Sequence, residues 1–326
     1  MNEKSQGQII LVTGAGSGIG RTTAIELARA GHIVYASMRV TDLEGERWAS
    51  LRSVASEGRL DLRPLELDVR EDASCRAAID RILADEGRVD VVMNNAAMMM
   101  HGLTEAFRPE QVLQILDLNA VSWLRVNRAA LPVMRRAGKG LLIYTGSGIN
   151  RLPDPFTGPY AASKAAGDVL AEIMALETAR YGIETVIVQP GAYTSGTDHF
   201  KHAVRPLDSE VVRQYGKLEG LSDQLADRLD GANMPGRRQD IGEIAEAIRD
   251  IIAMAPGTRP KRIDIDPQGR EVGKINDLTA QLQRDFFGRM GMADLLELNG
   301  IGVSVSAVSA CRAFMADFPV VWASKH

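Results

Sequence analysis

The stretch IILVTGAGSGIG, residues 9–20, joins a short apolar run to a glycine-rich turn, and a helical pattern over about 19–30 follows it. Glycines at such a strand-to-helix turn let the backbone approach a pyrophosphate closely, and the helix N-terminus offers free N–H groups to the anion. The spacing is G-x-x-x-G-x-G, and the G-x-G-x-x-G form is absent. We therefore predict a dinucleotide-binding turn that comprises Thr13, Gly14, Gly16, Ser17, Gly18, Ile19 and Gly20.

The same alternation of apolar runs and helical patterns continues along the chain. Six further runs follow, at 33–36, 62–67, 89–93, 141–145, 185–188 and, more weakly, 262–266. The helical patterns lie between them, at about 72–86, 109–135, 159–181 and 240–254. Because strands that alternate with helices form βαβ units, the expected fold class is α/β, a doubly wound parallel seven-stranded sheet with helices on both faces.

The chain is expected to form one domain with two additions. Residues 1–269 would be the dinucleotide-binding and catalytic domain. Residues 194–239 read as a helical insertion, either a substrate lid or a surface excursion, and long connections of this kind are often functional. Residues 270–326 are expected to pack on or beside the same domain as a C-terminal extension. Its last part, 298–326, could cover a subunit interface, close the lid or be loosely ordered.

The composition is that of an ordinary globular protein, with 45% apolar and 25% charged residues among 326. A net charge of −4 and the lack of a basic block argue against a nucleic-acid or membrane partner. Two distant cysteines, Cys75 and Cys311, fit a reducing compartment. With neither a secretory segment nor a run of about 20 apolar residues, we expect a soluble cytoplasmic protein. The five histidines follow no metal-binding motif, and no metal site is expected.

The end of the second predicted strand bears on the choice of dinucleotide. A fold that prefers NAD places an acidic residue there for the ribose hydroxyls. Here the sequence is Ala-Ser-Met-Arg39, and the first carboxylate is Asp42. Arg39 could pair with a 2′-phosphate, with help from Arg21, or it could be a solvated loop charge. We expect NADP(H) to be preferred over NAD(H).

Three side chains suggest acid–base chemistry. Tyr160 and Lys164 are four residues apart in a helical pattern, which puts them on one face. A phenol has a pKa near 10, and a neighbouring ammonium would lower it toward neutral pH. Ser147 follows the fifth predicted strand, where its hydroxyl can hold a substrate oxygen. In isolation, each of these residues would more often be structural.

Taken together, these motifs over about 8–268 resemble the short-chain dehydrogenase/reductase family, whose members are Rossmann-fold NAD(P)-dependent oxidoreductases. Its phosphate-binding pattern matches residues 13–20, and its Y-x-x-x-K element matches Tyr160 and Lys164. Its N-N-A-G element matches residues 94–96, but Ala97 replaces the glycine.

The resemblance implies roles for individual residues. The catalytic set would be Asn119, Ser147, Tyr160 and Lys164, with Asn119 holding a water. Lys164 would also bind the ribose hydroxyls of the nicotinamide half. Further cofactor contacts would be Asp68 and Val69 near the adenine, Asn95, and the Pro190, Gly191 and Thr194 turn. Family members usually associate through helices beside the active site, so a homodimer or homotetramer is expected.

The substrate pocket is only loosely indicated. Met98, Met99, Met100 and His101 would follow the fourth strand and lie near the nicotinamide end, and flexible Met side chains can line an apolar pocket. Asn150, Phe156 and Tyr193 flank the catalytic elements, and His199, Phe200 and His202 fall in the insertion. A serine hydrolase is disfavoured because Thr145 stands where a G-x-S-x-G motif requires glycine.

The function expected from these residues is hydride transfer between NADP(H) and a small carbonyl or secondary alcohol substrate, with Tyr160 as general acid/base. One alternative is a 3-oxoacyl-thioester reductase that uses an acyl carrier protein, for which Arg135, Arg136 and Lys139 are a thin docking patch. Another is a non-catalytic NADPH-sensing module, although a sensor need not retain an acid/base set.

Overall fold

The computed structural model describes residues 7–39 and 45–298, and a seven-stranded parallel sheet runs through its centre. The strands are β1 (Ile9–Val12), β2 (Ile33–Met38), β3 (Leu62–Glu66), β4 (Val91–Asn94), β5 (Gly140–Thr145), β6 (Ile183–Pro190) and β7 (Arg262–Ile265). Their order is β3-β2-β1-β4-β5-β6-β7, and every neighbouring pair is parallel. The predicted doubly wound α/β fold is therefore confirmed.

Helices cover both faces of this sheet. They are α1 (Gly18–Arg29), α2 (Glu46–Gly58), α3 (Asp72–Glu86), α4 (Pro109–Leu116), α5 (Ser122–Ala137), α6 (Gly158–Thr178), α7 (Ser209–Gln214), α8 (Lys217–Asp223), α9 (Leu225–Gly231), α10 (Gly242–Ala253) and α11 (Val272–Met290). Successive strand residues point to opposite faces, so Ile10 and Val12 pack toward α1, α2 and α10. Ile9 and Leu11 pack toward α3, α5 and α6.

Two helical features differ from the sequence expectation. Helix α2 was not expected, because only Leu51 and Ala55 are buried and only Trp48 and Val54 are half-buried against the core, whereas its other positions are exposed and mostly polar. The helix expected over 109–135 is divided by a π-helical segment, Asp117–Val121, between α4 and α5. Such a segment shifts the backbone hydrogen bonds by one residue and often marks a functional site.

The insertion and the C-terminal region continue this architecture. Residues 194–239 contain the three short helices α7, α8 and α9, so the expected helical character is confirmed. Helix α11 begins at the buried Val272, and the Nδ2 group of Asn276 donates to Oε1 of Gln189 at 2.6 Å. Residues 299–326, which include Cys311, lie outside the described residues. Within the described part of the chain, no helix is both long and apolar enough to cross a membrane.

Candidate active site

A cavity of about 580 Å³ lies at the carboxyl ends of β1, β4, β5 and β6, where ligands bind in open α/β sheets. The residues predicted from sequence that line it are Gly14, Gly16, Ser17, Gly18, Ile19, Gly20, Arg39, Asp68, Val69, Asn95, Ser147, Tyr160, Lys164, Pro190 and Gly191. Thr13, Asn119 and Thr194 are not among the lining residues. The cavity thus brings the glycine turn and the Ser-Tyr-Lys set together.

The glycine turn is shaped for close approach to an anion. Gly14 has a φ of +66°, and a Cβ atom there would lie 2.8 Å from the Ala96 Cα. A Cβ on Gly20 would lie 2.4 Å from the Asn95 side-chain nitrogen. At Gly16 a Cβ would make only an ordinary van der Waals contact, since the nearest atom, in the Arg47 side chain, is 3.5 Å away. The first turn of α1 contains no acidic residue, so its N–H groups and dipole face the cavity without an internal anion. This cradle fits a dinucleotide pyrophosphate.

Thr13 and Asn95 hold the cradle in place. The Thr13 hydroxyl accepts hydrogen bonds from the backbone N–H groups of Asn95 at 2.8 Å and Ala96 at 3.1 Å. The Asn95 side chain donates to the Thr13 carbonyl at 2.9 Å. These bonds tie the end of β1 to the end of β4. Thr13 therefore shapes the turn from behind, and Thr194 is similarly held by the Gln239 side chain.

The adenosine end of the cavity is rich in arginine. Arg39 lines it, and so does Arg47 of α2, which the sequence reading missed because it did not predict that helix. Arg21 instead donates to the Ser50 hydroxyl at 3.0 Å and is not among the lining residues. Arg70, which the sequence did not indicate either, also lines the cavity. It forms an ion pair with the Asp68 carboxylate, with Nη2 and Oδ2 2.8 Å apart. That hydrogen bond lowers the pKa of Asp68, against the effect of burial.

Tyr160 and Lys164 are both buried, and burial shifts the pKa of each side chain in the direction that favours its neutral form. Burial raises the pKa of Tyr160 above its usual value, and the Ser147 hydroxyl only partly opposes the increase. The Lys164 Nζ lies 5.8 Å from the centre of the Tyr160 ring and donates to the Thr145 carbonyl at 2.8 Å. Burial lowers the pKa of Lys164 to about 8, while Asp168 opposes that decrease. The expected lowering of the Tyr160 pKa by Lys164 is therefore not seen here, because burial is the largest effect on the phenol and raises its pKa.

Ser147 and Asn119 have different positions relative to the cavity. The Ser147 hydroxyl lies at its wall and accepts a hydrogen bond from the Ile149 N–H at 3.3 Å. Asn119 is fully buried in the π-helical segment. Its side chain exchanges two hydrogen bonds of 2.9 Å with the backbone of Met98 and donates to the Ser163 hydroxyl, also at 2.9 Å. In this structure Asn119 fixes the loop after β4 and does not face the cavity.

The substrate end of the cavity has an apolar wall with two elements. Met98 and Met99 come from the loop after β4, and Phe200 comes from the insertion. Met100 is buried and pairs with Val204, which ties that loop to the insertion. His101 contacts Arg205 behind the wall, and burial lowers its pKa to about 4. Asn150 and Phe156 are not lining residues.

His199 brings the insertion against Tyr160. Its ring stands edge-on to Tyr160 with 5.6 Å between the ring centroids. Burial and the Lys164 charge lower the pKa of His199 to about 4, so the imidazole is neutral at pH 7. Tyr193 and His202 also line the cavity. Among the described residues, no group of three or more His, Cys, Asp or Glu side chains could hold a metal ion.

Two polar residues that the sequence reading did not single out complete this end of the cavity. Asp154 precedes Tyr160, and Arg270 lies between β7 and α11. Neither position carries a local motif. Arg135, Arg136 and Lys139 lie just before β5 begins, at the opposite edge of the sheet from the cavity.

Comparison with known proteins places this site in a family. The profile described as short chain dehydrogenase matches residues 8–206, and the chain belongs to that family. It is 36% identical over 223 residues to 3-ketodihydrosphingosine reductase of Bacteroides thetaiotaomicron. The aligned region covers 68% of this chain and 73% of that protein. It is also 36% identical over 186 residues to human 17-beta-hydroxysteroid dehydrogenase type 1, covering 56% of each.

Solved structures agree with this assignment. A short-chain dehydrogenase from Streptomyces avermitilis has a TM-score of 0.65 and 27% identity, and the match covers 87% of this chain and 99% of that one. The actinorhodin polyketide ketoreductase with NADPH has a TM-score of 0.66 and 25% identity over 81% of this chain and 98% of that one. The protein is therefore an oxidoreductase that acts on CH–OH or C=O groups.

Proposed function

We propose that this protein is an NADP(H)-dependent reductase of small or medium-sized ketones. The observation that carries the proposal is that Ser147, Tyr160 and Lys164 line the same cavity as the glycine turn. A neutral phenol is the form that gives up a proton, and reduction of a carbonyl needs a proton at oxygen. Two relatives with reductase or ketoreductase in their names support the same direction.

The cofactor would lie along the glycine-rich edge of the cavity. The α1 N-terminus would hold its pyrophosphate, Asp68 and Val69 its adenine, and Asn95 and Lys164 its nicotinamide half. Arg39 and Arg47 supply the cationic environment that a 2′-phosphate requires. Pro190 and Gly191 border the same groove, and Thr194 supports it from behind. When bound, this group supplies the hydride for the carbonyl carbon.

The chain's own residues would manage the oxygen. The Ser147 hydroxyl donates a hydrogen bond to the substrate oxygen and steadies the negative charge that develops there. Tyr160 gives its proton to that oxygen, and Lys164, held by the Thr145 carbonyl, stabilises the phenolate that remains. Asn119 would act by fixing the backbone of Met98 beside the substrate.

The direct test is Tyr160→Phe. Removal of a general acid is expected to lower kcat about 10²–10⁴-fold while NADPH affinity stays within about twofold. Tyr144→Phe is the matched control, because it removes the hydroxyl of another buried tyrosine, which lies outside the cavity lining. Stopped-flow reduction of a ketone and NADPH fluorescence titration give both quantities. Wild-type turnover in Tyr160→Phe with intact NADPH binding would refute the acid role.

The two alternatives receive less support. A carrier protein docked on Arg135, Arg136 and Lys139 would sit at the edge of the sheet opposite the cavity. A module that only senses NADPH would not need an acid–base set, yet Ser147, Tyr160 and Lys164 all line the cavity. NADPH consumption with a panel of ketones separates these readings, since a sensor binds NADPH without turnover.

We also propose that residues 194–239 act as a substrate lid and that the protein is a homo-oligomer. The lid proposal is supported by His199 and Phe200, which line the cavity.

The oligomer is supported by exposed apolar side chains on α6: Val169 is 56% and Ile173 48% exposed. Light scattering of Ile173→Glu is expected to show a smaller particle than the wild type. A wild-type monomer would refute the oligomer.

A further inference from the structure

Arg270 is a buried cation at the substrate end of the cavity, on a part of the chain that the family profile does not match. The profile ends at residue 206, whereas Arg270 follows β7. Its side chain is only 9% exposed and lines the cavity together with Tyr160. The positive charge of Arg270 acts on the Tyr160 phenol and opposes the rise in its pKa. A guanidinium rarely occupies such a position without a partner for each donor.

The hydrogen bonding of Arg270 is incomplete. Its Nη2 lies 3.1 Å from Oδ2 of Asp154, but the approach is off the N–H directions and no hydrogen bond forms. That nitrogen has no acceptor among residues 7–39 and 45–298, although it is fully buried. A buried charged donor without an acceptor is costly, because it has lost its bonds to water and gained none in exchange. Because Arg270 donates no side-chain hydrogen bond to the described residues and its side chain lines the cavity, its remaining N–H groups point to an oxygen acceptor supplied by a ligand.

The turn that carries Arg270 is firmly held. The Asp266 carboxylate accepts hydrogen bonds from the backbone N–H groups of Gln268 at 3.0 Å and Arg270 at 2.8 Å. Gly269 has a φ of +66°. Val272 is buried, and a Cβ on Gly148, next to Ser147, would lie 3.4 Å from it. The backbone of Arg270 is thus fixed beside the loop that carries Ser147.

The charges around Arg270 select a neutral acceptor over an anion. Asp154 balances the guanidinium, and burial raises the pKa of Asp154 while Arg270 opposes the increase. Asp266 adds a second carboxylate on the backbone side. A substrate carboxylate would therefore enter a site whose cation is already neutralised. A hydroxyl or carbonyl oxygen could accept from the guanidinium without that repulsion.

We propose that Arg270, with Asp154 as its counter-ion, recognises a second, uncharged oxygen of the substrate, so that the preferred substrates are hydroxyketones or diketones. The inference rests on the proposed ketone reduction and deepens it. The reacting carbonyl lies at Tyr160 and Ser147, and the second oxygen lies at Arg270. The apolar remainder contacts Met98, Met99 and Phe200.

The test compares cyclohexanone with the best of 2-, 3- and 4-hydroxycyclohexanone in the wild type and in the double variant Arg270→Met/Asp154→Asn. The double variant removes both charges and so avoids an unpaired buried carboxylate. We expect kcat/KM for the hydroxyketone to fall about 10–100-fold, as for a hydrogen bond to a charged group, and that for cyclohexanone to change less than threefold. Arg270→Lys keeps a positive charge opposite the Asp154 carboxylate, so kcat/KM for the hydroxyketone should fall less than in the double variant. Lys274→Met, at an exposed site on α11, is the control and should behave as the wild type.

The outcomes separate the inference from the proposed function. Equal losses for both ketones, or unchanged values for both, would overturn the role of Arg270. A raised Kd for NADPH in the double variant would assign Arg270 to the cofactor and would also overturn it. An Arg270-dependent preference for 4-oxocyclohexanecarboxylate over the hydroxyketones would overturn the preference for a neutral oxygen. Failure of the wild type to reduce any of these ketones would instead overturn the proposed function, and this inference with it.

Discussion

Asp168→Asn should shift the pH dependence of the enzyme through Lys164. The carboxylate of Asp168 is 2% exposed and lies one helical turn after Lys164 on α6. It opposes the effect of burial, which lowers the pKa of Lys164 to about 8. If the ammonium form is required, kcat/KM for NADPH falls as pH rises through about 8 in the wild type. Removing the negative charge makes the ammonium lose its proton more easily, so the fall should begin at lower pH.

The size of this shift follows from Coulomb's law. Charges about 6 Å apart in an effective dielectric constant of about 20 interact by about 3 kcal/mol, or about two pH units. Arg262 pairs with both oxygens of Asp168, at 2.7 and 2.8 Å, and cancels part of the field at Lys164. We therefore expect the midpoint to fall by about one pH unit. The same substitution removes one partner of a buried ion pair and should destabilise the fold by about 3–5 kcal/mol.

The assay is kcat/KM for NADPH at saturating ketone between pH 6 and 9, because this ratio reports groups of the free enzyme. Far-ultraviolet circular dichroism at each pH restricts the comparison to folded protein. Glu172→Gln is the matched control: it removes another carboxylate from Arg262, at 3.2 Å, but Glu172 does not influence the pKa of Lys164. An unchanged midpoint in Asp168→Asn, or an equal shift in Glu172→Gln, would refute the reasoning.

Three further substitutions test the site. Gly20→Ala should lower the free energy of unfolding by about 1–3 kcal/mol, because its Cβ would come within 2.5 Å of a backbone oxygen; Gly273→Ala, with nothing within 4 Å, should be neutral in the same urea titration. Lys164→Met should be inactive yet melt at a higher temperature at pH 7, by an amount that shrinks toward pH 10. The reason is that the pKa of Lys164 is about 8 in the folded protein and higher in the unfolded chain. Burial of the ammonium therefore destabilises the fold fully below pH 8, and this destabilisation disappears above the ordinary pKa of lysine. A lower melting temperature of the variant at both pH values would contradict this. Arg39→Ser and Arg47→Ser should each raise KM for NADPH about tenfold and change KM for NADH less than twofold, and equal effects on both cofactors would argue against a 2′-phosphate site.

The sheet could be predicted from the sequence because its strands are short, buried and β-branched. The run at Val91 and Val92 is buried on both faces, and its apolar character is visible without any partner. Helix α2 lacks such a signal, since it buries only Leu51 and Ala55. The π-helical segment within the 109–135 pattern was equally invisible, because it changes the hydrogen-bond register and leaves the side-chain pattern intact.

The site could be predicted only where its chemistry is local in sequence. Tyr160 and Lys164 lie one helical turn apart, so their spacing alone brings them together. Arg47, Asp154 and Arg270 reach the cavity through tertiary packing from three separate segments, and no local motif marks them. Burial is also the reason why the pKa of Tyr160 could not be predicted from the sequence. The spacing of Tyr160 and Lys164 indicates a lowered phenol pKa, but desolvation exceeds every charge near Tyr160 and reverses the direction.

The two walls of the substrate end differ in rigidity, and this difference predicts how substrates are discriminated. Asn119 fixes the backbone of Met98 by two hydrogen bonds, but the methionine side chains remain flexible thioethers that can refill space around different carbon skeletons. An extra methylene group in such a pocket is worth only about 1–3 kcal/mol. Arg270, by contrast, has its backbone held by Asp266 and its guanidinium paired with Asp154, which restrict how far it can follow a misplaced oxygen. Since a site built to hydrogen-bond a substrate group rejects analogues that lack the group by much larger factors, the enzyme should read the position of oxygen more strictly than the length of the carbon chain.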